Sequence, residues 1–182
     1  MKKIITTFVL IFSIAFANAQ INYGVKGGAA LTTLTGDGYK AKAGFYAGGY
    51  AQFSLKNSFS VQPEIYYATQ GANWESDGKT ALGYVNIPVL AKYTTSSGFY
   101  GESGPQVGFM LSAHDTYKGE TEDVKQYLKT TDFSWAFGAG YQVNPQIGIN
   151  ARYNLGLSKF WKDEKNSVIL VGIHYSIGAT KR

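Results

Sequence analysis

The stretch Leu82 to Thr94 reads Leu-Gly-Tyr-Val-Asn-Ile-Pro-Val-Leu-Ala-Lys-Tyr-Thr. Its odd positions Val85, Ile87, Val89, Ala91 and Tyr93 are apolar without a break, while Tyr84, Asn86, Pro88 and Lys92 make the even positions mostly polar or irregular. A period of two sends successive side chains to opposite faces, so this is a strand with one oily side and one polar side. The oily side must lie against a protein core or against lipid.

The alternation recurs in eight segments: 21–34, 42–55, 59–71, 82–94, 99–111, 132–143, 147–159 and 167–179. Three links are tight and turn-rich, at 56–58, 95–98 and 144–146; the others, at 35–41, 72–81, 112–131 and 160–166, are longer and polar. Short turns at one end and long loops at the other are the pattern of an outer-membrane barrel with its short turns in the periplasm. No run of eighteen apolar residues exists, which excludes membrane-spanning helices. A closed barrel is the other structure that crosses lipid with every backbone group paired. The expected fold is therefore all-β: an eight-stranded antiparallel up-and-down transmembrane β-barrel, one domain over residues 20–182.

Residues 1–19 read as a secretory signal peptide, with Lys2 and Lys3 before the apolar run Ile4–Phe16 and a cleavage site after Ala19. Export fits the bacterial outer membrane. The absence of cysteine rules out a disulfide framework and a lipid-modified cysteine. The net charge of +5 falls to +3 once Lys2 and Lys3 are removed, and the remaining lysines are scattered, so nucleic acid is not an expected partner.

Two observations turn the oily face outward. Tyr23, Phe53, Phe59, Tyr93, Phe99, Tyr141 and Tyr175 lie on the apolar parity near the periplasmic strand ends, and Phe45, Tyr67, Phe109, Phe133 and Trp135 mark the outer ends, with Trp161 beyond. Two aromatic belts around an aliphatic band match the girdles at the two lipid–water boundaries. The opposite parity is rich in glycine (Gly28, Gly44, Gly48, Gly104, Gly138 and Gly172 among them), which suits a narrow, crowded, polar lumen rather than a wet surface. Pro63, Pro88 and Pro105 fall inside strands, and each is expected to cost a ladder bond or mark a bulge.

Seven blocks carry a family resemblance: Gly24-Val-Lys-Gly-Gly28, Gln62-Pro-Glu64, Tyr84 through Tyr93, Gly104-Pro-Gln106, Asp132-Phe133, Gly138-Ala-Gly-Tyr141 and Arg152-Tyr-Asn-Leu-Gly-Leu157. Together they resemble the PorT-like outer-membrane β-barrel proteins of bacteria, over essentially the whole chain after residue 19. The resemblance implies the barrel and recurrent in-strand prolines, and for some members an association with secretion. Asn86 departs from it where an acidic residue is usual, and so does the ending Lys181-Arg182 in place of a terminal aromatic.

On the lumen parity, Lys26, Glu64, Lys92, Glu102 and Arg152 lie two to five residues from the periplasmic strand ends and form one layer. Charges in a narrow lumen must be paired. Lys92 and Glu102 flank the turn 95–98 and should fall nearly opposite, with Tyr66, Gln62, Gln106 and Asp132 supplying further hydrogen bonds. Such a layer either fills an interior too narrow for a pore or gates a small channel for water or ions. His174 and Ser176 share that parity and invite a lipid-hydrolase reading, but no acidic third member lies near them in sequence.

In the longest loop, Thr121 and the spacing of Val124, Tyr127 and Leu128 predict a short helix. Asp115, Glu120, Glu122 and Asp123 lack the spacing of a calcium loop and read as a solvated face. Trp74, Asp77, Trp161 and Asp163 sit in the other outer loops. The expectation is a non-enzymatic monomer without cofactor or metal. It would contact outer-membrane lipids and meet an envelope or secretion partner through its outer loops.

Overall fold

The computed structural model describes residues 20–34, 39–55, 58–74, 78–118, 120–158 and 166–178. The expectations for residues 1–19, Asp77, Trp161, Asp163 and the side chain of Trp74 lie outside the described residues.

Eight long strands close into a barrel: β1 (Gln20–Leu34), β2 (Tyr39–Ser54), β3 (Phe59–Trp74), β4 (Gly78–Thr94) and β5 (Phe99–Tyr117), then β7 (Thr131–Gln142), β8 (Ile147–Gly156) and β9 (Asn166–Ser176). A short β6 (Glu120–Asp123) hangs on the outer end of β5. Every pairing is antiparallel, β1 joins both β2 and β9, and β4 joins both β3 and β5, so the wall has no open edge. Closure satisfies the backbone polar groups where no water can.

The alternation does what its parity predicts. Val25, Ile65, Val89, Ile149, Val171 and Ile173 are exposed on the outer wall, whereas Lys26, Glu64, Tyr66, Asn150 and Arg152 are buried inside it. In the periplasmic belt Phe59 packs on its cross-strand partner Tyr93 at 4.9 Å, and Phe99 on Tyr141 at 4.7 Å. Tyr23 and Tyr175 are exposed on the same face, and Phe53 is half-buried there. Glycines make room on the inner face for large side chains. A Cβ on Gly24 would stand 2.7 Å from the Tyr50 hydroxyl, and one on Gly138 would stand 2.7 Å from Glu102 Oε1.

The prolines interrupt the ladders without shifting register. Pairing lapses opposite Pro63 between β2 and β3, at Pro88 between β3 and β4, and at Pro105 between β4 and β5, then resumes in step. The true irregularities lie farther out, between Ala41 and Tyr46 on β2 and at Leu111, the extra residue of β5 opposite Gly83 and Tyr84.

The wall is uneven. β8 has 10 residues and β9 has 11, enough to cross the bilayer, while β4 has 17 and β5 has 19. At about 3.3 Å per residue, β5 and its partner β4 rise together far beyond β7 on the outer side.

Two expectations need correction. The predicted helix in the longest loop is instead strand β6 followed by a single 3-10 turn, Lys125–Tyr127. The outer end of β5 offers unpaired backbone, and residues 120–123 take it, with Thr121 opposite Thr116. Nor is the lumen uniformly polar. Ala30, Ala68, Val168 and Leu170 form a buried apolar cluster with Tyr46 and Tyr66, and Leu82, Tyr84, Met110 and Ala113 form a second, on which Val124 and Leu128 pack. These clusters plug the lumen where no charge is available to pair.

Candidate functional site

Around the barrel, β3 and β8 stand diametrically opposite each other, four strands apart either way. Arg152 on β8 nevertheless reaches Glu64 on β3 in a two-pronged ion pair, Nη1 to Oε2 at 2.8 Å and Nη2 to Oε1 at 2.8 Å. The lumen must therefore be narrow enough for one arginine to cross it. The guanidinium also donates from Nε (2.8 Å) and Nη2 (2.5 Å) to Glu102 Oε1 on β5. A planar fork with five donors suits two carboxylates at once, which a lysine does not. Lys26 on β1 adds bonds of 3.0 and 3.1 Å to the two oxygens of Glu64, and Gln62 Nε2 a further one of 2.7 Å. The Arg152 and Glu64 side chains have no solvent exposure.

Lys92 is in the same layer but joined differently. It sits opposite Glu102 in the β4–β5 register, yet among the described residues no carboxylate lies within 4.0 Å of its ammonium. Arg152 has taken Glu102. Lys92 Nζ donates to Gln62 Oε1 at 3.3 Å and stands 3.7 Å from the centre of the Tyr100 ring, a cation–π contact.

Of the four side chains expected to serve the ions, only Gln62 does so. Tyr66, Gln106 and Asp132 belong to the outer half of the lumen. There the Tyr66 hydroxyl donates to Gln106 Oε1 (2.6 Å) and accepts from Asn154 Nδ2 (3.0 Å), again across the full diameter. Gln106 Nε2 donates to Asn86 Oδ1 (3.2 Å) and Ser134 Oγ (2.9 Å), Asn166 donates to Gln70, and Ser158 donates to Asp132. Asn86, which departs from the acidic pattern, thus meets an amide rather than a cation. The paired asparagines and glutamines alternate with apolar residues along the chain, and that alternation was the available signal for this second network.

His174 and Ser176 have separate partners. His174 Nε2 faces Gln142 Oε1 at 3.0 Å with Tyr50 and Tyr100 packed on its ring, and Ser176 Oγ faces the Tyr50 hydroxyl at 2.7 Å. A hydrolase needs the base bonded to its nucleophile, and here each is bonded elsewhere. The acidic residues of the longest loop are spread along the β5–β6 ribbon, where Asp115 opposes Glu122 and Asp123 opposes His114. Among the described residues no three metal-type ligands cluster.

A closed antiparallel barrel of eight strands, apolar outside and cross-bonded inside, defines an outer-membrane β-barrel protein. The chain belongs to the outer membrane protein beta-barrel domain family, whose model matches residues 16–162, and its place is the bacterial outer membrane. No curated protein matches it. Among solved structures it is similar to Ail, the attachment invasion locus protein of Yersinia pestis, in complex with the heparin analogue sucrose octasulfate. That likeness has 20% identity and a TM-score of 0.53, over 87% of this chain and 99% of that one. It is also similar to Neisserial surface protein A, at 16% identity and TM-score 0.59, over 84% of this chain and 96% of that one. These likenesses concern the fold.

Proposed function

We propose that this protein is a closed barrel of the PorT-like kind, exported by a signal peptide over residues 1–19. It acts as a monomeric structural and partner-displaying element of the outer membrane rather than as a pore. The observation that carries this reading is the Arg152–Glu64 pair across the whole lumen, with Glu102 and Lys26 locked to the same two groups. A lumen tied across its diameter by buried ions leaves no aqueous path at that level. The second tie, Asn154 to Tyr66, supports closure in the outer half.

Function then falls to what stands outside the membrane, chiefly the β5–β6 ribbon and the turn after it. There Tyr127 is exposed, and Asp123, Lys125, Gln126, Leu128 and Thr130 line a shallow recess of about 490 Å³. Ail, a similar barrel, was solved with a sulfated ligand. The ribbon here mixes Glu120, Glu122 and Asp123 with Lys118, Lys125 and Lys129, which favours a protein partner of mixed charge over a polyanion.

Planar-bilayer recording tests the closed state. The folded protein passes no steady current, and neither does Arg152→Ala, because the Asn154–Tyr66 tie and the apolar clusters still close the outer half. Steady unit conductance from the unaltered protein would instead make it a channel.

A further inference from the structure

We propose that the periplasmic end of the lumen binds a small monovalent anion of halide size, held between Lys92 and Ser60. In the buried layer three cations, Lys26, Lys92 and Arg152, face only two carboxylates, Glu64 and Glu102. Both carboxylates are engaged by Arg152, and Glu64 by Lys26 as well, so the surplus positive charge resides on Lys92. Lys92 is only 4% exposed. Its ammonium carries three protons, of which Gln62 Oε1 takes one and the Tyr100 ring face a second. An isolated buried cation is costly and calls for a counter-charge.

The second, independent observation is Ser60. It is the cross-strand partner of Lys92 in the β3–β4 register, so the two Cβ atoms stand about 4.5–5.5 Å apart on one face. Ser60 is 4% exposed, and its hydroxyl has no hydrogen-bond partner among the described residues. A buried hydroxyl without an acceptor, on the residue that faces a lysine without a counter-charge, makes these two side chains a two-point anion site. The narrow lumen limits the occupant to the size of a halide, because eight strands leave little beyond the room their own side chains fill. Ser60 and Tyr100 are the second residues of β3 and β5, and Lys92 lies two residues before the end of β4, so the ion enters from the periplasm.

Crystals of the protein grown from detergent and soaked in concentrated bromide test the site directly. An anomalous difference peak between Ser60 Oγ and Lys92 Nζ is expected, and a blank map there overturns the proposal. In solution, thermal unfolding in sodium chloride is compared with sodium gluconate at equal ionic strength. At tenfold excess over the dissociation constant, chloride raises the midpoint by roughly 3–6 °C. Lys92→Met and Ser60→Ala each abolish that difference. Equal midpoints in the two salts, or a chloride effect that survives in either variant, refute it. Should Lys92→Met fail to fold, Ser60→Ala and the bromide map still decide.

Discussion

The two halves of this lumen are closed by different physics. Near the periplasm the fill is ionic, with Arg152, Lys26, Glu64 and Glu102 sharing three short ion pairs at almost no solvent exposure. Toward the outside it is mostly neutral, with amides and hydroxyls bonded pairwise between small apolar clusters and Asp132 held by Ser158 rather than by a cation. An ion pair crosses a lumen well because each partner has several bonding positions, but losing either partner strands a charge. An amide or an alkyl group lost from the outer half leaves only an unmet bond or a void. The inner half should therefore be brittle and the outer half forgiving, although both look equally packed.

The largest effect belongs to the inner half. Arg152→Ala strands Glu102, leaves Glu64 with Lys26 alone, and should cost about 3–5 kcal/mol in urea unfolding from lipid vesicles. A loss below about 1 kcal/mol would mean that water already reaches the layer, and the contrast between halves would collapse. In the outer half, Met110→Ala removes an apolar side chain from the cluster beneath Val124 and Leu128. Its cost should be about 2 kcal/mol, at the low end for such a truncation, because the loop residues above can settle into the space. Asn154→Ala deletes one bond to Tyr66 and should cost about 1 kcal/mol by the same assay. If Asn154→Ala matched Arg152→Ala, the diametric position rather than the charge would be what matters.

This contrast was partly readable in the sequence. Lys26, Glu64, Lys92, Glu102 and Arg152 lie on one parity at similar depth, and strand arithmetic alone puts them in one layer. Which cation takes which carboxylate was not readable, since that depends on how far each side chain reaches across the lumen. Lys92 opposes Glu102 in register, but Arg152 reaches it from β8. The outer strand ends were also lost, for a local reason. The alternation was read as starting at Lys42 and Leu82 and stopping at Gly71 and Leu111. Residues 41–46 span a register shift, Gly71 has φ +130°, and Leu111 is the bulge opposite Gly83. Beyond Leu111 the inward parity passes from even to odd, so Ala113 is buried and His114 exposed. A period-two reading ends wherever a bulge changes its phase, although the strand itself continues.

The smallest effect is the sharpest test, because it lies within the brittle half. Lys92 shares its depth and burial with Arg152, but removing it strands no carboxylate: among the described residues none lies within 4.0 Å of it. Its loss costs one hydrogen bond to Gln62 and the contact with the Tyr100 ring, and it relieves the surplus positive charge of the layer. These terms oppose each other at about 1 kcal/mol each. In gluconate, Lys92→Met should therefore leave the free energy of urea unfolding within about 1 kcal/mol of the unaltered protein's. A loss as large as that of Arg152→Ala would show that Lys92 is bonded to the layer as tightly as the others. Brittleness would then follow from depth in the barrel and not from stranded charge.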